Sequence, residues 1–291
     1  MVTKLPLIAA NEIFNKPIFC SEAYIETVLH TLGGRISVDS SNLNVGEDFT
    51  ARGGSADSGS ESFHHIEVLG SLTHRASYLN AASGMQSYQD LSRMVGEFAD
   101  DQSSKVLVME IDSPGGAVSG VFDLADKIRS VRESQPNKKI ISVVNDVAAS
   151  AAYLIASQAN HIVATQTASI GSIGAVVVHM DHSQRLENEG IKPTIIRSSP
   201  KKMAGSSLEA LSEEVSEDIQ QRINSARDLF VDAVVKGRMG ANENFNAEDF
   251  EKMVRGTEAG MFSAKDALEM GLIDDIMSAE KAFELARNLS L

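Results

Sequence analysis

The stretch VNDVAASAAYLIASQANHIVATQTASIGSIGAVVVH, residues 144–179, decides the fold. Its apolar strand pattern gives way at the small residues Ala148 to Ala152, and a helical pattern begins there. A serine at such a corner, here Ser150, is presented on a sharp strand-to-helix turn, with the N–H groups of the new helix pointing towards it. Farther along the same stretch come Gly171, Ser172, Ile173 and Gly174. Upstream, Asp112-Ser113-Pro114-Gly115-Gly116 directly follows the apolar strand KVLVMEI. Two strand-end turns, one holding a nucleophile candidate and one rich in glycine, suit acyl transfer by serine attack with an oxyanion hole.

Strand and helix patterns alternate on both sides of this stretch. FHHIEVLGSLT (63–73) reads as a strand or the start of a hairpin. A helix is predicted over 85–99, with Leu91, Met94, Val95 and Phe98 on one face. KVLVMEI is a buried strand, VSGVFDLADKIRSVRES (118–134) a helix and KKIISVVND (138–146) a strand. After Ser150 come a helix and the strand HIVATQT (161–167), then a strand at AVVVHMD (175–181). SQRLENEG is a helix stopped by Gly190, and KPTIIRS (192–198) another strand. This alternation predicts an α/β fold of parallel β/α units with right-handed crossovers. From Ser207 the chain turns helical, and a strand, a helix, a Gly271 stop and a final strand are expected over 260–278.

The expected organisation is a helical segment over 1–36, a flexible linker over 37–62 and one domain over 63–291. Ile25, Val28, Leu29 and Leu32 recur at helical spacing in the first of these. The linker, rich in Ser, Gly, Asp and Asn, lacks the apolar residues needed to order itself.

Composition narrows the function. The net charge of −14 disfavours nucleic acid or an anionic membrane as a main partner, since phosphate contact needs clustered Lys and Arg. A single cysteine, Cys20, rules out an intramolecular disulfide framework and fits a reducing compartment; it reads as a packing residue with no base beside it. No run of 18 apolar residues could span a membrane, and the opening residues do not read as a secretory signal. His179 and His182 flank Asp181, but no third ligand is spaced to complete a metal site, and no cofactor motif occurs.

Taken in order, the Asp-Ser-Pro-Gly-Gly turn, the Ala149-Ser150-Ala151-Ala152-Tyr153 corner, the Ser169–Gly174 segment and the closing pattern at 260–274 resemble the serine peptidase family of signal peptide peptidase A. The opening LPLIAANEIFNKPIFCSEAYIETVLHTLGGRI (5–36) resembles the lambda-type phage capsid assembly protease branch of that family. The resemblance implies a ClpP/crotonase-like stack of β/α units with a helical C-terminal extension, assembled into a homo-oligomeric ring. It implies Ser150 as nucleophile and Lys202 as general base; Lys201 is the rival, but the family lysine falls six residues after the strand-end isoleucine, here Ile196. It implies that Ser172 orients the lysine amine, and that Gly115 or Gly116 with Ala151 forms the oxyanion hole. A lysine can take a proton only when neutral, so its usual pKa of about 10.4 must fall by burial.

The implied function is cleavage of phage scaffold, portal or capsid proteins in the host cytoplasm, within the assembling prohead. The alternatives are a bacterial cytosolic signal-peptide or oligopeptide peptidase and a catalytically silent capsid scaffold. A Ser-His-Asp triad using His179 or His182 is the competing chemistry.

Overall fold

The computed structural model describes residues 16–22, 24–26, 53–55, 63–75, 85–241 and 246–290. Its body is a mixed α/β structure around an eight-stranded sheet. Strands β3 (Phe63–Leu69), β6 (Val106–Ser113) and β8 (Lys139–Ala149) run parallel at its centre. The first half of β8 pairs in parallel with β9 (His161–Ala164), and its last three residues with β10 (Ser169–Gly171). At the margins β2 (Gly53–Ser55) pairs antiparallel with β3, β11 (Met261–Ser263) antiparallel with β10, and β12 (Asp275–Ile276) parallel with β9. A second, four-stranded sheet has the order β1 (Ile18–Cys20), β7 (Gly115–Ala117), β4 (Leu72–Thr73), β5 (Gln86–Ser87).

The central strands carry apolar runs, Val106 to Met109 in β6 and Ile140 to Val144 broken only by Ser142 in β8, because both faces are covered there. Successive side chains point to opposite faces. Leu107, Met109 and Ile111 of β6 therefore pack with α1 (Tyr88–Asp100) and α2 (Val121–Ser134), while Val106 and Val108 pack with Ala282 and Ala286 of α8 (Ala279–Ser290). Helix α1 buries the four residues its periodicity singled out, Leu91, Met94, Val95 and Phe98, together with Tyr88. Ser87 caps it: its hydroxyl oxygen accepts the Asp90 N–H at 3.0 Å while its O–H donates to the Asp90 carboxylate at 2.7 Å.

Two expected strands do not form. AVVVHMD makes only bridges, among them Val176 with Ile18, and KPTIIRS is irregular and mostly exposed. No residue from 174 to 225 is buried; β1 touches the first of these runs at a single bridge, and among the described residues no longer strand lies beside the arm to draw it into a sheet. Short helix α4 (Ser183–Asn188) lies within it and ends before Gly190, as its sequence indicated. The residues 63–73 do not form a hairpin either, because β3 and β4 belong to different sheets.

The helices after Ser207 are part of the body. Helix α5 (Glu213–Ala241) has an exposed first half, but Phe230, Val231 and Val234 lie in the main core. Arg238, fully buried, grips Asp274 with two nitrogens at 2.6 and 3.0 Å. Burial pushes the Asp274 carboxyl up, but this guanidinium outweighs it and the net shift is down. Helices α6 (Ala247–Gly256) and α7 (Ala264–Glu269) lie between α5 and α8. Within the expected helical segment 1–36, Ile18–Cys20 is a strand, and Glu22 and residues 24–26 after it are helical, the Ile25 N–H donating to the Ser21 carbonyl at 3.2 Å. Within the expected linker, Gly53–Ser55 is a strand. Most of both segments lies outside the described residues.

Candidate active site

Strand β8 ends at Ala149 and helix α3 (Ala151–Ala156) begins at once, leaving Ser150 as the single corner residue. Its backbone is left-handed, φ 56° and ψ −119°, a conformation that non-glycine residues adopt at a cost of about 1–3 kcal/mol. Its side chain makes no helix-capping bond, which removes the structural explanation for a serine here. The hydroxyl donates instead to the Gly174 carbonyl at 3.4 Å, and the residue is wholly shielded from solvent.

The corner is fixed from two sides. The Ser150 N–H donates to the Gly171 carbonyl at 2.8 Å, and the Leu154 N–H to the Ser150 carbonyl at 2.9 Å. Beneath it, a register shift between Ile111 and Ser113 turns the end of β6 and pairs Ser113 with Ala148. Ser113 is fully buried; its hydroxyl donates to the Gly70 carbonyl at 2.6 Å and accepts the Gly115 N–H at 3.2 Å. Sequence reasoning passed over Ser113 as part of a turn motif, yet it orients the glycine pair.

Gly115 has φ +102°, and a Cβ there would lie 2.2 Å from the Phe19 carbonyl oxygen and 3.1 Å from the Ala151 nitrogen. A Cβ on Gly116 would lie 1.9 Å from the Leu72 carbonyl oxygen. Both positions exclude a side chain, the first by conformation as well as by space. Ala151 opens α3, so its N–H has no intrahelical acceptor.

Ser172 has φ 54°, is nearly buried, and donates its N–H to the Gly260 carbonyl at 2.8 Å. The Gly174 N–H returns to the Ser172 carbonyl at 2.9 Å, which curls the segment so that the Gly174 carbonyl meets the Ser150 hydroxyl. The structure thus gathers Ser150, Ser172, Gly115, Gly116 and Ala151 within one connected set of backbone contacts.

Lys202 stands apart from them. It is exposed in a turn of the arm, where its N–H donates to the Ser199 carbonyl at 3.0 Å and its carbonyl accepts from Arg197 at 2.9 Å. Among the described residues its ammonium has no hydrogen bond or ion pair. Lys201 is committed elsewhere: it donates to Asp218 at 2.7 Å, and that bond raises its pKa, favouring the charged form. The rival histidines are engaged away from the corner. His179 lies 3.3 Å from the Ser206 carbonyl, and Asp181 accepts the Ser183 N–H at 2.8 Å. His161 sits at the far end of β9, 3.2 Å from Asp275. Cys20 is buried, and burial pushes its thiol up to about 12, so it stays protonated and unreactive. No group of three or more metal-ligating residues occurs among the described residues, and no described helix is long and apolar enough to cross a membrane.

A strained serine between a parallel strand and a helix, beside a helix-opening N–H and a glycine pair, defines the α/β serine-hydrolase class of site. Within that class the chain belongs to peptidase family S49, whose pattern it matches over residues 132–290. It is 35% identical over 220 residues to the head-tail preconnector protein GP5 of Enterobacteria phage P21, covering 76% of this chain and 42% of that protein. It is 30% identical over 296 residues to capsid assembly protease C of Escherichia phage lambda, covering 96% of this chain and 65% of that one. A putative signal peptide peptidase SppA of Enterococcus faecium is 27% identical over 197 residues, covering 68% of this chain and 54% of that protein. The chain therefore spans less than two thirds of the length of each of these relatives.

Proposed function

We propose that this protein is a serine endopeptidase of phage head maturation, with Ser150 as nucleophile and Lys202 as general base. The observation that carries the reading is the left-handed Ser150, which makes no capping bond and sits beside the Ala151 N–H. A residue held at that cost without a structural use is best explained by the need to expose its oxygen to a bound carbonyl. The Ala151 N–H, with that of Gly116 or Gly115, would receive the developing oxyanion; such a donor is typically worth about 10²–10³ in turnover. Ser172 would orient the lysine amine.

Lys202 would be supplied by a neighbouring copy in a homo-oligomeric ring. No residue of the arm that carries it is fully buried, and Met180, Ile191, Ile196 and Met203 stand in water, Ile196 at 93% exposure. Apolar surface of this kind marks an interface. Docking would also dry the lysine, and burial is what lowers an amine's pKa towards neutrality. On this reading repeated β/α units of the ClpP/crotonase kind form each subunit.

The phage reading rests on coverage: the match to capsid assembly protease C extends over 96% of the chain and takes in the N-terminal segment, whereas that to the signal peptide peptidase stops at 68%. The substrates would be scaffold, portal or capsid proteins, cut in the host cytoplasm inside the forming prohead, with no cofactor. Mass spectrometry of head proteins from particles carrying wild-type or Ser150→Ala protein tests this. Unprocessed head proteins are expected in the variant, and normal processing there would end the reading.

A further inference from the structure

Strand β1 sits in an unusual place. On one side it pairs antiparallel with β7, Phe19 opposite Gly116 and Cys20 opposite Gly115. On the other, Ile18 exchanges both backbone bonds with Val176, at 3.0 and 3.1 Å. The Ser21 N–H donates to the Pro114 carbonyl at 2.9 Å. Hydrogen-bonded pairs alternate along an antiparallel ladder, so Phe19 and Gly116 are also a bonded pair, and the Gly116 N–H points at the Phe19 carbonyl. The Cβ position at Gly115, 2.2 Å from that carbonyl oxygen and 3.1 Å from the Ala151 nitrogen, places the two atoms at most 5.3 Å apart. Thus the Phe19 carbonyl meets the Gly116 N–H and lies in the neighbourhood of the nitrogen that follows the corner serine. The Phe19 ring is fully buried, 4.5 Å from the Phe230 ring and 5.9 Å from that of Phe122 between centroids. Ser150 itself is inaccessible in this arrangement.

We propose that Ile18–Cys20 occupies the slot in which this protein holds its substrate strand, with the Phe19 carbonyl in the place of the carbonyl under attack. The proposal rests on the reading of Ser150 above. The chain is then closed by its own segment, and the slot accepts an extended peptide with a large apolar side chain at the position of Phe19. Two strand edges supply the affinity through main-chain bonds, and the Phe122–Phe230 pocket supplies the selection. An external peptide must displace β1, so its apparent affinity is reduced by the fraction of molecules in which the slot is vacant.

The test uses the full chain with Ser150→Ala and Cys20→Ser, so that binding is read without cleavage. Ile18 and Ala117 face each other as a non-hydrogen-bonded pair, a spacing of about 4.5 Å between Cα atoms that a disulfide can bridge. Ile18→Cys with Ala117→Cys locks the segment in place on oxidation. The probe is a fluorescein-labelled KPIFSSEAY peptide followed by anisotropy. The oxidised form is expected to bind at least about tenfold more weakly than the reduced form, and Phe19→Asp at least about tenfold more tightly than its parent. Equal binding by oxidised and reduced forms, failure of the disulfide to close, or no binding by any form would overturn the proposal; so would an unchanged affinity in folded Phe19→Asp. Should Phe19→Asp not fold, the disulfide pair decides. Cleavage by the Ser150 parent that ignores the lock sinks the slot alone. Binding that obeys the lock, with no cleavage by the parent even when it is assembled into its oligomer, sinks the Ser–Lys reading alone.

Discussion

Ser150 donates its N–H to the Gly171 carbonyl at 2.8 Å, and that one bond couples the strained corner to the segment bearing Ser172. The pairing continues the parallel ladder in which Ala149 faces Gly171. The backbones of the nucleophile candidate and of Ser172 are therefore tied to one another through Gly171.

The strain at the corner has a measurable signature. Ser150→Ala keeps the left-handed backbone, whereas Ser150→Gly releases it, because glycine adopts positive φ freely. The glycine variant is expected to be more stable than the alanine variant by about 1 kcal/mol, roughly 2–4 °C in Tm, after the extra freedom of glycine in the unfolded chain is subtracted. Both should lack peptidase activity. Calorimetry showing the glycine variant less stable would remove the strain argument.

Gly115→Ala brings a methyl group to 2.2 Å from the Phe19 carbonyl oxygen, at a φ of +102°. Loss of at least about 2 kcal/mol in urea unfolding is expected, from strain and steric conflict together. Turnover should fall by at least about 10², since the neighbouring donors shift with it. An active, stable Gly115→Ala protein would show that the glycine pair does not shape the site.

The two adjacent lysines should behave differently. Lys202→Ala should abolish cleavage with little change in thermal stability, because among the described residues its side chain makes no hydrogen bond or ion pair. Lys201→Ala removes only an exposed pair with Asp218, so activity should survive and stability change by less than about 1 kcal/mol. Peptide hydrolysis assays on both variants would reverse the assignment if Lys201→Ala were the inactive one.

The buried Arg238–Asp274 pair should govern acid stability. Since the Asp274 pKa is depressed in the folded state, its contribution is present above the unfolded value of about 3.9 and is lost as pH falls through the lower folded value. Arg238→Ala or Asp274→Asn alone leaves a buried partner unmatched and should cost about 3–5 kcal/mol, while Arg238→Met with Asp274→Leu should recover most of it. Urea titrations between pH 2 and pH 7 would separate these cases; a double variant as weak as the singles would mean the pair is worth more than its apolar replacement.

Much of the body is legible from period and punctuation. The buried face of α1, the strand KVLVMEI, the corner at Ser150 and the stop at Gly271 all follow from local signals that tertiary packing reinforces. The arm is where local reading fails. KPTIIRS has strand-forming residues, yet it is mostly exposed and pairs with no strand among the described residues, and pairing is not written in propensity. For the same reason β1 falls inside a segment of helical periodicity: Ile18–Cys20 takes its extended form from the edges at β7 and Val176, both distant in sequence. The serine corner and the glycine turn were visible because each is a compact motif. Ser113 was not, because its importance lies in whom it bonds.

If Lys202 is the base, as proposed, a peptidase that carries it on an outstretched limb with greasy patches has a built-in dependence on crowding. Single copies adrift in the cell would be inert, and the same molecules packed inside a shell would switch on. The 174–225 limb would thus confine destruction to the compartment where it is wanted, with no messenger and no separate inhibitor.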